Sequence, residues 1–386
     1  MNSSSKRQMP NNQRIQFLVL LLFSSFVILI TSQHDQLKCK QKHAAMFVFG
    51  DSLFDPGNNN FLNISATQGK ANYPPYGETF FHYPTGRFSD GRLIPDFFAS
   101  FAGLPLWRPY LDPANHNFVV GANFASAGAC VLVENNPNTL NLQIQLGFFK
   151  EVVNLLTQQL GDTDTKKLLR EATYISSIGG VDYMIFVNSS SNITEPAMQE
   201  YVNIVIGNIT EATKEIYELG GRKFAFQNVG PLGCYPHMKA EFNSTGECVQ
   251  FLQILATMHN NALAKVAEEL EIKLSGFKYL MFDFFTSLMD RANNPTKHGF
   301  KMGDNACCGG GVYHAQNGCG FLTEEYELCS DPNEFVFWDA YHPTEHCYSQ
   351  LVELLWNGTG NVTWPLNMKQ LYDLDIDTKL SFFSKH

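Results

Sequence analysis

The stretch FVFGDSLFDPGNNN (residues 47–60) decides how the chain is read. An apolar run ends on Gly50-Asp51-Ser52, and glycine and asparagine crowd in behind it. Extended back to AAMFVFG (44–50), the run has the composition of a strand buried on both faces. Three similar runs follow: ATYISSIG (172–179), RKFAFQNVG (222–230) and GFKYLMFDFF (276–285). Between them, residues 142–161 and 201–221 carry apolar side chains at three- and four-residue spacing, the second ending at Gly220-Gly221, a helix stop. Residues 249–274 form the longest helical pattern. Strands alternating with helices predict βαβ units, hence an α/β fold with a mostly parallel sheet covered on both faces. No internal repeat or proline-rich linker interrupts the order, so residues 33–386 read as a single domain.

Composition narrows the class. The chain has 386 residues, 44% of them apolar, with 32 Phe and 15 Tyr, ample for a large core. Residues 1–32 read as a signal peptide: Lys6, Arg7 and Arg14 precede the apolar block 15–30, and small polar residues at Thr31 and Ser32 close it. That block is shorter than the about 20 residues a membrane span needs, and no later run approaches it, so no stable anchor is expected once the signal is removed. Entry into the secretory path makes Asn63, Asn188, Asn192, Asn208, Asn243, Asn357 and Asn361, each in an Asn-x-Ser/Thr triplet, candidate glycan acceptors. It also makes disulfides of Cys234, Cys248, Cys307, Cys308, Cys319 and Cys329 the expectation, with the pairing open and at least one of the nine cysteines left over. The destination is outside the cell or in the vacuole. A net charge of −10 offers no footprint for nucleic acid. The oligomeric state is left open.

In open parallel sheets, sites gather where loops leave the carboxyl ends of strands, which is where Ser52 falls. A serine needs a base to take its proton, and that base is best held by a carboxylate. The strongest context among eleven histidines is EFVFWDAYHPTEHCYSQLVELLW (334–356), with Asp339 three residues before His342 and Pro343 expected to open a helix. The same stretch fits an H-x-x-E-H zinc set of His342, Glu345 and His346. Pro343 disfavours that reading, because both histidines would have to share one regular helical turn. Asp51 and Asp55 are expected to organise the turn after the strand, Arg87 to pair with Asp90, Asp182 to satisfy local amides, and Cys130 to be a buried filler.

Taken in order, GDS followed by FDPGNNN, YPTGRFSDGRLIPDF (83–97), GANFASAGAC (121–130), NVGPLGCYP (228–236), ACCGGG with its later CG and LC (306–329), and DAYHP resemble the plant GDSL esterase/lipase family of SGNH hydrolases. The resemblance runs from about residue 44 to 373. It implies a flavodoxin-like α/β/α sandwich and a triad of Ser52 as nucleophile, His342 as base and then acid, and Asp339 as orienting carboxylate. It implies an oxyanion hole built from the backbone N–H of Ser52 and of Gly128, with Ala127 as the alternative. The family's third block is Gly-x-Asn-Asp, its asparagine donating to the oxyanion; here IGGVDY (178–183) puts Val181 in that place.

The implied reaction is hydrolysis of a small-molecule carboxylic ester through an acyl-enzyme, with no metal or organic cofactor. Two rivals use the same residues: an acyltransferase passing the acyl group to an alcohol acceptor, and a silent glycoprotein that keeps the scaffold.

Overall fold

A computed structural model describes residues 44–63, 69–189, 193–320 and 325–376; the signal-peptide reading and Asn192 lie outside them. In chain order the strands are β1 (Met46–Gly50), β2 (Gly121–Asn123), β3 (Thr173–Ser177), β4 (Lys223–Gln227) and β5 (Lys278–Phe282), then β6 (Met302–Ala306), β7 (Cys308–Gly309), β8 (Glu327–Leu328), β9 (Phe335–Phe337) and β10 (Thr363–Trp364). The helices are α1 (Ile94–Ala102), α2 (Leu142–Leu160), α3 (Asp162–Glu171), α4 (Gly180–Ser189), α5 (Glu195–Glu218), α6 (Pro236–Glu241), α7 (Gln250–Lys273), α8 (Phe284–Asn293), α9 (Glu345–Asn357) and α10 (Met368–Asp373).

The main sheet runs β10-β5-β4-β3-β1-β2, parallel except for β10. Its five parallel strands thus have the order 2-1-3-4-5 of a flavodoxin-like sheet, and the chain is an α/β protein with a three-layer build. Burial on both faces is what drives it: every residue of β1 is buried, and Phe47 and Phe49 meet Phe149 of α2 with ring centroids 5.0 and 5.8 Å apart. Helices α2, α5, α7 and α4 pack on one another, and α1, α8, α9 and α10 form a second group around α9. The order reverses at β1, which pairs in register with both β2 and β3 (Val48 beside Asn123 and Ile175).

Glycine ends β1 for a steric reason. A Cβ on Gly50 would come within 2.6 Å of the Ser177 carbonyl oxygen of β3. The strand can therefore be held tight against its neighbour to its last residue and still turn at once into Asp51 and Ser52.

The four long runs of the sequence became β1, β3, β4 and β5. Strands β2 and β10, three and two residues long, carry too little pattern to be foreseen. Pro343 does not open the last major helix; Thr344 caps it, its Oγ1 accepting the Cys347 N–H at 3.2 Å, and α9 begins at Glu345. The cysteines pair as Cys234–Cys248, Cys307–Cys329 and Cys308–Cys319, while Cys130 and Cys347 are buried thiols. Cys307, Cys308 and Cys319 pack with Ala71, Tyr76 and Trp338 into a small apolar cluster apart from the main core. Among the described residues no helix is long and apolar enough to cross a membrane.

Candidate active site

The residues after β1 are held by side chains reaching in from other elements. Buried Gln145 of α2 accepts the Gly50 N–H at 2.9 Å and donates to the Gly50 carbonyl at 2.8 Å. Asp51 Oδ1 takes the Leu53 N–H at 3.0 Å. Asp55 Oδ1 takes the N–H groups of Gly57 and Asn58 at 2.7 and 2.6 Å, and its Oδ2 takes that of Ala127 at 2.8 Å. Burial raises the Asp55 carboxyl to about 6 despite these bonds. The asparagines then act as a latch. Asn58 Nδ2 donates to the Asn123 and Ala125 carbonyls, and Asn59 Nδ2 to those of Gly69 and Ala127. This is the use of the turn-rich burst: it ties the loop after β1 to the loop after β2.

Ser52 and His342, 290 residues apart, meet there. Ser52 Oγ lies 2.7 Å from His342 Nε2, and His342 Nδ1 lies 2.7 and 2.9 Å from the two Asp339 oxygens. Asp339 also accepts the N–H groups of Tyr341 and His342 at 3.0 and 2.9 Å and the Tyr76 hydroxyl at 2.8 Å. Burial alone would raise the Asp339 carboxyl, but the His342 charge and these hydrogen bonds outweigh it and hold the group below its ordinary range. An ionised carboxylate against Nδ1 fixes Nδ1 as the protonated nitrogen, which leaves Nε2 free to accept the serine proton. The Phe88 ring covers the imidazole, centroid to centroid 4.9 Å.

The triad opens on a pocket of about 550 Å³, whose lining includes Gly128, Val181 and Met184. Of the two candidate donors after β2, the Ala127 N–H is taken by Asp55, whereas the N–H groups of Gly128 and Ser52 take no partner among the described residues. Val181 stands on the first turn of α4 and presents only methyl groups, in a wall continued by Met184 and Ile185. Asp182 turns the other way: its carboxylate accepts from the N–H groups of Val131 and Leu132 and from Asn135.

Arg87 does not pair with Asp90. It makes a bidentate bond to Asp96 at 2.8 Å, because α1 starts just beyond and brings Asp96 under the guanidinium; Asp90 instead accepts the Glu345 N–H at 2.7 Å. The zinc set does not converge. His342 faces Ser52 and Asp339, Glu345 pairs with Arg92, and His346 Nε2 meets Gln350. Cys130 is fully buried. Asn63, Asn188, Asn208, Asn243, Asn357 and Asn361 are all exposed. Tyr76 and Gln145 are invisible in the sequence: their partners are 263 and 95 residues away, and an isolated tyrosine or helical glutamine carries no signal of such a bond.

Residues 46–355 match the family model described as GDSL-like lipase/acylhydrolase. The chain is 45% identical over 340 residues to a GDSL lipase of Tanacetum cinerariifolium, covering 88% of this chain and 90% of that one. It is 42% identical over 379 residues to GDSL esterase/lipase 1 of Arabidopsis thaliana, covering 95% and 100%. It is also 37% identical over 332 residues, 86% and 75% of the two chains, to an Arabidopsis thaliana protein named inactive GDSL esterase/lipase-like protein 25. The chain therefore belongs to the GDSL-like lipase/acylhydrolase family and is a carboxylic ester hydrolase.

Proposed function

We propose that this chain hydrolyses lipid or phenolic acyl esters by forming an acyl-enzyme on Ser52. His342 Nε2 takes the Oγ proton as Oγ attacks the ester carbonyl, and Asp339 holds the imidazolium that results. The N–H groups of Ser52 and Gly128 receive the oxyanion. Collapse expels the alcohol with the proton from His342. Water, deprotonated by His342, then releases the acid and restores Ser52. The observation that carries this reading is the Ser52–His342–Asp339 chain of short contacts at the mouth of the pocket.

Val181 removes one donor from the hole. Such a loss costs about 2.7–4 kcal/mol, or about 10²–10³ in rate, against total accelerations of at least about 10⁶. The enzyme is handicapped, not silenced. The relative named as inactive keeps the silent reading in view, and the intact contacts around Ser52 oppose it here. Acyl transfer is the second reading, favoured by the methyl-lined wall of Val181, Met184 and Ile185, which keeps water from one side of the acyl-enzyme. Three disulfides and six exposed sequon asparagines support passage through an oxidising compartment, to the cell exterior or the vacuole.

A fluorophosphonate probe tests the nucleophile. The native protein is expected to label and Ser52→Ala to remain unlabelled, with ester cleavage falling at least about 10³-fold. Labelling and turnover that survive Ser52→Ala would reject the mechanism. Product analysis with and without alcohol acceptors separates hydrolysis from transfer.

A further inference from the structure

Among the described residues that line the pocket, Asp51 is the one carboxyl and His342 the one imidazole; no lysine or arginine faces it. Asp51 is only 5% exposed. The turn it organises asks for an acceptor, which Oδ1 provides to the Leu53 N–H at 3.0 Å. An asparagine oxygen would serve that bond equally well, without the cost of burying a charge. The second oxygen, Oδ2, has no hydrogen-bond partner among the described residues. Local structure thus accounts for half of this carboxyl and leaves the other half to the pocket.

Its surroundings do not neutralise it. The titratable groups around Asp51 are His342 from the loop before α9, Asp182 from α4, Cys130 from the loop after β2, Tyr235 before α6 and Tyr348 on α9. Burial pushes the Asp51 carboxyl up to about 7, the Leu53 N–H and His342 pulling it back and Asp182 adding to the rise. Fixed positive charge is missing from that set.

Resting on the reading of this pocket as the ester-cleaving site, we propose that Asp51 is a specificity-determining residue whose carboxylate confines the site to esters of uncharged acyl groups and drives out the acid product once it ionises. Deacylation breaks the bond between acyl carbon and Ser52 Oγ, joins that carbon to the oxygen of water, and returns one water proton to Oγ through His342. The carboxylic acid so formed loses its own proton to solvent and becomes an anion in a pocket that already holds one. Between apolar walls the two repel more than they would in water. A substrate with an anionic group on its acyl chain meets the same repulsion on entry, whereas a neutral chain of equal size does not.

The test compares para-nitrophenyl hexanoate with mono-para-nitrophenyl adipate, similar in length and differing by one terminal carboxylate, on the wild type and on Asp51→Asn at about pH 8, where Asp51 is ionised. The variant keeps the acceptor for Leu53. The wild type is expected to prefer the neutral ester, and Asp51→Asn to shrink that preference about ten-fold, the effect of one like charge about 10 Å away at an effective dielectric of about 20. Hexanoate itself should inhibit the variant about ten-fold more tightly. A second measurement needs no variant: the wild-type preference should rise between about pH 6 and pH 8 as Asp51 ionises, since the adipate carboxylate is charged throughout. An unchanged preference and unchanged product inhibition in a variant that still cleaves the hexanoate ester, or a wild-type preference flat across that range, would overturn the proposal. Wild-type cleavage rates in Ser52→Ala would instead overturn the ester-site reading beneath it.

Discussion

Replacing Tyr76 with phenylalanine removes one oxygen from the site and leaves its packing in place. The ring stays among Tyr73, Phe88 and Trp338, with centroids 5.5, 5.8 and 6.2 Å away, so the variant should fold. What it loses is the 2.8 Å bond to Asp339 Oδ2. A hydrogen bond to a charged group contributes about 1.5–3 kcal/mol. The low end applies, because Asp339 keeps the Tyr341 and His342 N–H groups and the imidazole itself. About 1.5 kcal/mol sets a ceiling of about a ten-fold fall in kcat, reached if the whole bond serves to hold the carboxylate in line. KM should hardly move, since Tyr76 does not line the pocket. The pH profile gives an independent reading. Without the phenol, more negative charge remains on Asp339 to stabilise the imidazolium, so the acid limb of kcat/KM moves to higher pH, by up to about one unit. Stopped-flow or steady-state assays with a chromogenic ester between about pH 4 and pH 9 would measure both. Wild-type kcat together with an unmoved acid limb would refute the reasoning and reduce Tyr76 to a packing residue.

Two further outcomes follow from other parts of the molecule. Val181→Asn restores an amide donor on the first turn of α4, and kcat is expected to rise about ten-fold or more towards the 10²–10³ that one hole donor contributes; an unchanged kcat would mean that another group already fills that role. Burial raises Asp51 to about 7 and Asp55, Asp90 and Asp182 to about 6. These groups bind protons more tightly folded than unfolded, so their contribution is fully present below about pH 3.8 and is lost as pH rises through 6 to 7. His259, lowered by burial to about 3, and His346, lowered by burial together with its neighbouring charges, act in the opposite sense below about pH 6.5. Four against two leaves a net gain of a few kcal/mol on going from pH 8 to pH 5. Calorimetry should find the higher unfolding midpoint at the more acidic value, and a midpoint that falls instead would show that the buried carboxyls are ionised at little cost.

What could be read from sequence alone was whatever has a short period or a short motif. The parallel sheet shows in runs such as RKFAFQNVG, because a strand buried on both faces is apolar at its centre instead of alternating with polar residues. Ser52 and His342 stand out in the sequence because strand-to-loop and loop-to-helix junctions carry turn chemistry that local composition reveals. Gln145 and Tyr76 escaped because a side chain that serves a backbone group or a carboxylate across the fold leaves no local trace. Arg87 was matched to the wrong carboxylate for the same reason: Asp90 is nearer in sequence, but α1 presents Asp96 in a bidentate position. The pairing of Cys307, Cys308, Cys319 and Cys329 is open in the sequence because all four pack around Trp338, and only that packing decides which sulfur atoms meet. That the Ala127 N–H is taken while that of Gly128 is not likewise depends on where Asp55 points.

The contact between the first strand and the threshold of the last long helix has a developmental consequence. During synthesis the ribosome delivers Ser52 early and His342 only after 290 further residues. Every intermediate on that path holds a hydroxyl with ordinary alcohol reactivity. On the mechanism proposed above, catalysis switches on only when the carboxyl-terminal segment docks, so turnover would report completed folding, and a proteolytic cut just beyond β9 would separate His342 from Ser52.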